Sequence, residues 1–111
     1  MDGEEKNRFV SAWISAQVAE HKSPEYLENE WAVDKFIDLP YENPDEAWEL
    51  ILMVLETKPS EETMAILAAG PLEDLMTAHG ETYIERVETE ARQNPAFRRL
   101  TQGVWLSPSD T

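Results

Sequence analysis

The sequence predicts an all-α protein of about seven short antiparallel helices, stacked as helical hairpins in the manner of a helical-repeat protein and without a sheet. Apolar residues recur three or four positions apart through most of the chain, which is the period of a buried helical stripe. Asn, Pro and Gly divide this pattern, and the short connections between stretches favour antiparallel neighbours. A chain of 111 residues fits one domain. We expect that domain over residues 1–106 and a flexible polar tail over residues 107–111.

The first two predicted helices are separated by Ser23 and Pro24, which are typical of an N-cap and a first helical position. Before them, residues 4–21 carry an apolar stripe at helical spacing. After them, the second helix is expected to end near Ile37, because Pro40 and its neighbours interrupt the pattern. The four Trp residues of the chain are expected in the core. The side chains of these two helices expected to face the core are Phe9, Val10, Trp13, Ile14, Val18, Tyr26, Leu27 and Trp31.

The clearest local pattern in the chain is the sequence NPDE that begins at Asn43. Asn43 suits the N-cap, Pro44 the first helical position, and Glu46 the third position of a capping box. The run WELILMVL that follows is apolar on nearly every side, so we expect this helix to be the most buried one. Ser60 then begins the next helix as its N-cap.

The last part of the chain, residues 65–105, contains three pairs of residues that typically end or begin helices. These pairs are Gly70-Pro71, His79-Gly80 and Asn94-Pro95. Because the apolar residues between them keep helical spacing, we predict four short helices here. Gly80 would lie just past a helix end, where glycine tolerates a positive φ. Val104 and Trp105 are expected to fold back onto the core.

Charge is the strongest global feature of the chain. It has 23 acidic and 9 basic residues, a formal net charge of −14 and a pI of about 4.3. Proteins bind nucleic acids and anionic membranes through Lys and Arg, so we expect this chain to bind neither. A basic protein would instead be attracted and steered towards such a surface.

Compartment and chemistry are constrained by what the sequence lacks. The N-terminus MDGEEKNRF is charged where a signal peptide is apolar, and no apolar run approaches the ~18 residues of a membrane span, so we expect a cytoplasmic protein. The absence of cysteine excludes disulfides, thiolate zinc sites and cysteine nucleophiles. Neither His21 nor His79 has the spacing of a di-iron or zincin site, and Glu81, Glu85 and Glu88 are interpreted as a solvated helix face. We therefore predict no metal, no cofactor and no catalytic residue.

Acidic residues are concentrated in residues 25–49, where nine acids against a single Lys leave a charge of −8. We hypothesise that this segment forms an exposed acidic face with apolar residues such as Tyr41 at its centre, and that the face binds a basic protein partner. The protein would then be an interaction module, for example an immunity or antitoxin-like protein or a regulator. The predicted partner-binding residues are Glu28, Asp34, Asp38, Tyr41, Glu42 and Asp45.

The alternative hypothesis is a polar pocket formed by Glu73, Asp74, His79 and Arg98. If these side chains converge on one cavity with shifted pKa values, the protein is a small-molecule-binding protein or an enzyme. The competing interpretation is structural, because carboxylates such as Glu73 and Asp74 stabilise a helix N-terminus and His79 suits a helix end. The sequence leaves the oligomeric state open.

Three blocks of the sequence resemble a small bacterial family known only as a domain of unknown function. These blocks are PDEAW at residues 44–48, GPLEDL…HG at residues 70–80 and a terminal FR…L…GVW at residues 97–105. The resemblance extends over about residues 31–105. It implies an all-helical domain without an assigned activity, and it transfers no catalytic residue to this chain.

Overall fold

The computed structural model describes residues 1–102, and within that range the protein is all-α, as the sequence predicts. Helices make up 86 % of these residues and no strand occurs among them. The predictions for Val104, Trp105 and the tail at residues 107–111 lie outside the described residues. Within residues 1–102, no helix has the length and apolar character required to span a bilayer.

Six α-helices and one π-helical segment follow one another along the described chain. They are α1 (Gly3–Val18), α2 (Pro24–Glu42), α3 (Pro44–Glu56), α4 (Glu61–Leu67), the π segment (Ala68–Leu72), α5 (Glu73–Gln93) and α6 (Pro95–Thr101). Because α4, the π segment and α5 join without a break, residues 1–102 form five continuous helical stretches, and the prediction of about seven short helices is wrong in number.

The helix starts agree with the sequence prediction because N-caps are local. Three predicted caps, and Asn94 beside the predicted helix start at Pro95, accept a hydrogen bond from a backbone N–H of the helix they begin. They are Ser23 (from Tyr26, 3.2 Å), Asn43 (from Glu46, 3.3 Å), Ser60 (from Thr63, 3.2 Å) and Asn94 (from Ala96, 3.1 Å). The carboxylate of Glu46 pairs with the Met1 amino group at 2.9 Å, so the predicted capping box does not form there. A capping box forms instead at Asp2 and Glu5.

The end of α2 differs from its prediction, because this helix continues past Pro40 to Glu42 instead of ending near Ile37. Proline in a helix removes one N–H, here the donor to the Phe36 carbonyl, but Pro40 lies in the last turn and its ring is buried. The ladder resumes at once, since the Asn43 N–H donates to the Leu39 carbonyl at 2.8 Å. Burial of the proline ring offsets the lost hydrogen bond.

The predicted breaks at Gly70-Pro71 and His79-Gly80 are also wrong. At Pro71 the helix widens into the π segment, where the Glu73 N–H donates to the Ala68 carbonyl five residues earlier. This widening accommodates a proline that would otherwise clash with the preceding turn. At the second pair only His79 leaves helical geometry, with φ −138° and ψ 29°, and no glycine among residues 1–102 has a positive φ. The result is a kink inside α5 and not a helix end.

The core lies between the α1–α2 hairpin, α3 and the long stretch from α4 to α5. Phe36 of α2 meets Phe9 and Trp13 of α1 edge-to-face, with ring centroids 5.1 and 5.7 Å apart. As predicted, α3 is deeply buried, with Leu50, Ile51, Val54 and Ala47 at zero exposure. Three of the side chains predicted to face this core, Val18, Leu27 and Trp31, lie on the surface instead.

Candidate functional site

The surface of α2 that faces away from the core carries an unusual mixture of side chains. At 100° per residue, Leu27, Trp31, Ile37 and Tyr41 fall within a sector of roughly 120°, and Asp34 and Asp38 lie between them. The core-facing residues Ala32, Phe36 and Leu39 lie on the opposite side of the helix. We define the α2 face as Leu27, Trp31, Asp34, Ile37, Asp38 and Tyr41.

The apolar members of the α2 face are exposed to solvent. Leu27 is 57 %, Trp31 44 %, Ile37 56 % and Tyr41 50 % exposed. Only two further large apolar side chains are exposed among the residues the structure describes, Val18 and Ile66. These exposed apolar side chains are interspersed with acidic ones, and such a mixture of aromatic, aliphatic and polar groups is found at protein interfaces.

Within residues 1–102, the acidic members of the α2 face have no cationic partner. The side-chain ion pairs there join Lys6 to Glu49, Arg86 to Asp45 and Arg99 to Glu61. Asp34 and Asp38 take part in none of them, although Lys35 lies on the same helix. These carboxylates therefore give the α2 face a negative potential that no ion pair of the described residues neutralises.

A groove borders the α2 face on the side of α1 and the π segment. It encloses about 160 Å³. Its walls are mainly apolar, and Asp74 in the first turn of α5 is its one charged side chain. We call it the Asp74 groove; it is lined by Trp13, Gln17, Val33, Phe36, Ile37, Ile66, Gly70, Pro71 and Asp74.

Tyr41 links the α2 face to the Asp74 groove. Its hydroxyl donates a hydrogen bond of 3.3 Å to Asp74 Oδ1, which is long for an O–H donor. Partial desolvation raises the pKa of Tyr41, and the neighbouring Asp74 carboxylate raises that pKa further. Among residues 1–102, Asp74 forms no ion pair with Lys or Arg.

A second Tyr–Asp pair lies between α3 and α5 and has a different environment. The hydroxyl of buried Tyr83 donates to Asp45 Oδ1, and Arg86 Nη1 contacts the same oxygen at 3.3 Å. The Arg86 guanidinium also lies 4.9 Å from the centre of the Tyr83 ring. Burial, followed by the hydrogen bond to Asp45, raises the pKa of Tyr83 to about 12. The same hydrogen bond, with help from Arg86, lowers the pKa of Asp45.

Four of the predicted partner-binding residues lie on or beside the α2 face, and two lie elsewhere. Asp34, Asp38 and Tyr41 belong to the α2 face, and exposed Glu42 lies at its edge. Glu28 lies about 120° around the helix from Asp34, beside α1 residues such as Arg8. Asp45 is on α3 and is already bound by Tyr83 and Arg86.

The residues of the alternative polar pocket are dispersed. Asp74 lines the Asp74 groove, whereas His79 lines a separate depression at the kink of α5. The His79 Nε2 atom is buried and has no hydrogen-bond partner among residues 1–102. Arg98 donates to the carbonyls of Ala91 and Arg92 at the other end of α5, which is about 25 Å from Asp74 at 1.5 Å per residue. Glu73 adjoins Asp74 in the first turn.

Comparison with known proteins places the chain in a family without assigning it an activity. Residues 19–111 match a family of unknown function (DUF6869). The chain belongs to this family. This agrees with the resemblance seen in the sequence blocks, and the whole α2 face lies inside the matched segment of the DUF6869 chain. No curated protein and no solved structure is detectably similar to it.

Three apolar residues of this region differ from their sequence-based prediction. The sequence predicts Leu27 and Trp31 in the core and a helix end near Ile37, whereas all three are on the α2 face. The spacing of Ala32, Phe36 and Leu39 would have set the correct helical phase if α2 had been continued through Pro40. Ile66, across the Asp74 groove, carries no comparable sequence pattern.

Proposed function

We propose that this DUF6869 protein is a protein–protein interaction module whose α2 face binds a basic protein partner. Four exposed apolar side chains, interspersed with Asp34 and Asp38, support this proposal. Aromatic side chains surrounded by polar residues frequently provide most of the energy of a protein interface. The α2 face offers Trp31 and Tyr41 in this role.

Charge favours a basic partner over a neutral one. The net charge of −14 attracts a cationic protein over a distance of about one Debye length, ~8 Å at physiological ionic strength. Because Asp34 and Asp38 are unpaired within residues 1–102, a partner Lys or Arg breaks no existing ion pair when it binds. We therefore propose an immunity or antitoxin-like protein, or a regulator, that acts in the cytoplasm by covering a basic surface.

The alternative of an enzyme or small-molecule-binding protein has weaker support. Small-molecule pockets usually enclose ~300–1,000 Å³, whereas the Asp74 groove has a volume of about 160 Å³. The depression beside His79 measures about 460 Å³, but consecutive residues of α5 alone line it, so it brings no second element to the site. Arg98 is held at the far end of α5 by main-chain carbonyls, so it does not join Asp74 in one site. The groove matches the size of a single side chain better than that of a metabolite.

Affinity capture of the tagged full-length chain from its native cells, followed by mass spectrometry, tests the proposal. Three chains are compared: the unchanged protein, a triple variant with Asp34→Asn, Asp38→Asn and Glu42→Gln, and a control. The control, Glu81→Gln, Glu85→Gln and Glu88→Gln, changes net charge equally at exposed positions of α5.

We expect one basic protein to be retained in near-stoichiometric amount by the unchanged chain and by the control, and to be lost from the α2 variant. Raising the salt concentration to ~0.5 M should weaken retention, because it shortens the Debye length. If both variants lose the basic protein equally, net charge and not the α2 face accounts for its retention. If the unchanged chain captures no protein even at low salt, the proposal is wrong.

A further inference from the structure

We propose that the Asp74 groove receives one arginine side chain of the basic partner, with the guanidinium on the Asp74 carboxylate and the aliphatic stem against the apolar walls. This inference rests on the proposed function, because it names the anchor that the partner inserts beside the α2 face. It assigns the groove a ligand chemistry that the α2 face alone does not define.

The volume of the groove is suited to one amino-acid side chain of a partner. An enclosed space of about 150 Å³ holds a group the size of benzene, and the Asp74 groove encloses about 160 Å³. The exposed side chains of Ile37 from α2 and Ile66 from α4 line the groove together with Pro71. These side chains suit the aliphatic stem of a long cationic residue, which covers apolar surface while its charged end remains polar.

The single negative charge of the groove, on Asp74, favours a ligand side chain with a positively charged end. Asp74 is the one charged lining residue, and within residues 1–102 its carboxylate accepts one side-chain hydrogen bond, the 3.3 Å bond from Tyr41. A planar guanidinium can bind both carboxylate oxygens and stack on an adjacent aromatic ring. Tyr41 donates to Asp74 Oδ1 alone, so the two N–H groups of a guanidinium can satisfy the carboxylate more completely than a lysine ammonium can.

The backbone beside the groove is also irregular. Gly70 and Pro71 line the groove and belong to the π segment, and π-helical turns inside α-helices occur frequently at functional sites. A Cβ built at Gly70 would meet nothing within 4 Å, so this side of the groove is open. The wider turn thus coincides with the space that the arginine would fill.

The test is an NMR titration of the full ¹⁵N-labelled chain with N-acetyl-arginine methylamide. The control probe is the matched citrulline derivative, which has nearly the same shape and no charge. We expect the arginine probe to shift the amides of Ile37, Ile66, Gly70 and Asp74, with a Kd on the order of 1 mM for a ligand of this size. The citrulline probe should shift them at least fivefold less at equal concentration.

Two variants locate the binding site within the molecule. Asp74→Asn should raise the Kd of the arginine probe at least fivefold. Ile66→Lys should raise it similarly, because it places a competing cation beside the groove. Glu88→Gln, at an exposed position of α5 outside both the α2 face and the groove, should leave its Kd unchanged. Shifts spread along all of α2, or an unchanged Kd in both groove variants, would overturn the groove assignment.

The two proposals fail separately. An empty capture removes the proposed interaction, whatever the arginine probe does. A partner that is captured through the α2 face but bound equally well by the Asp74→Asn chain overturns the groove assignment and leaves the proposed function in place.

Discussion

Two Tyr–Asp pairs in this protein have the same chemistry and opposite surroundings. Tyr83 is buried and binds Asp45, whose carboxylate is also paired with Arg86. Tyr41 is half exposed and binds Asp74, whose carboxylate has no Lys or Arg partner within residues 1–102. The first pair joins α3 to α5, and the second borders an open groove.

The difference indicates which acidic residues stabilise the fold and which are available to a partner. A carboxylate that receives a buried hydroxyl and an arginine is satisfied within the chain, so exposing it to a second protein adds little. Among the described residues, the acids of the α2 face and of the Asp74 groove lack such a cation, and exposed apolar side chains lie beside them. Net charge alone therefore does not define the interaction surface of an acidic protein.

The two sides of α2 give the largest expected contrast. Phe36→Ala removes a ring that is 2 % exposed and packed against Phe9 and Trp13, so it should lower the free energy of unfolding by ~3–5 kcal/mol. Its neighbour Ile37 is largely exposed, and Ile37→Ala should change that free energy by less than ~0.5 kcal/mol. Urea unfolding of both variants measures the difference. A large loss in Ile37→Ala would show that the α2 face is part of the core.

Alkaline titration should distinguish buried Tyr83 from the rest of the protein. The pKa of Tyr83 is raised from 10.0 to about 12 in the folded protein, so the folded state disfavours the phenolate. The associated stability is present below pH 10 and is lost as the pH rises through 12; two pKa units correspond to at most ~2.7 kcal/mol. Urea midpoints should therefore fall between pH 10 and 12.

The Tyr83→Phe variant is the control for this titration, because it lacks the titrating hydroxyl. Its urea midpoint should fall less steeply over the same pH range. An equally steep fall in Tyr83→Phe would assign the alkaline transition to other groups.

Removing either tyrosine hydroxyl should change the free energy of unfolding by less than the two preceding changes. Tyr83→Phe removes a hydrogen bond from a buried ring and should lower the free energy of unfolding at pH 7 by ~1 kcal/mol. Tyr41→Phe removes a 3.3 Å bond at the surface and should leave the urea midpoint unchanged, because water replaces the hydroxyl. Thermal or urea unfolding of the two variants decides the order, and equal losses would remove the distinction between the pairs.

Helix starts could be predicted from the sequence because they depend on adjacent residues. Ser23, Asn43, Ser60 and Asn94 each bind a backbone N–H two or three positions later, and this contact requires no tertiary structure. The burial of α3 could be predicted for a similar reason, since its sequence is apolar on nearly every side.

Helix continuation could not be predicted in the same way, because it depends on packing. Pro40 continues α2 because its ring is buried, and Pro71 continues the later stretch because the backbone widens into a π turn. A helix that ends near Ile37 leaves out the buried Leu39, so the sequence pattern assigns the wrong side of α2 to the core and Trp31 with it. The acidic half of the α2 face followed from composition, whereas its apolar half and the Asp74 groove required the tertiary structure.

We propose that the acids of the α2 face, which are unpaired within residues 1–102, bind a partner, whereas Asp45 stabilises the fold through Tyr83 and Arg86. The most direct test measures unfolding in urea and binding to the captured partner for two variants, Asp34→Asn with Asp38→Asn, and Asp45→Asn.

The α2 variant should gain a few tenths of a kcal/mol in stability, because it removes a like-charge pair four residues apart, and it should lose partner binding. The Asp45 variant should lose stability, because it gives up the interactions with Tyr83 and Arg86, and it should keep partner binding. If both variants lose stability and both keep the partner, the claim is contradicted.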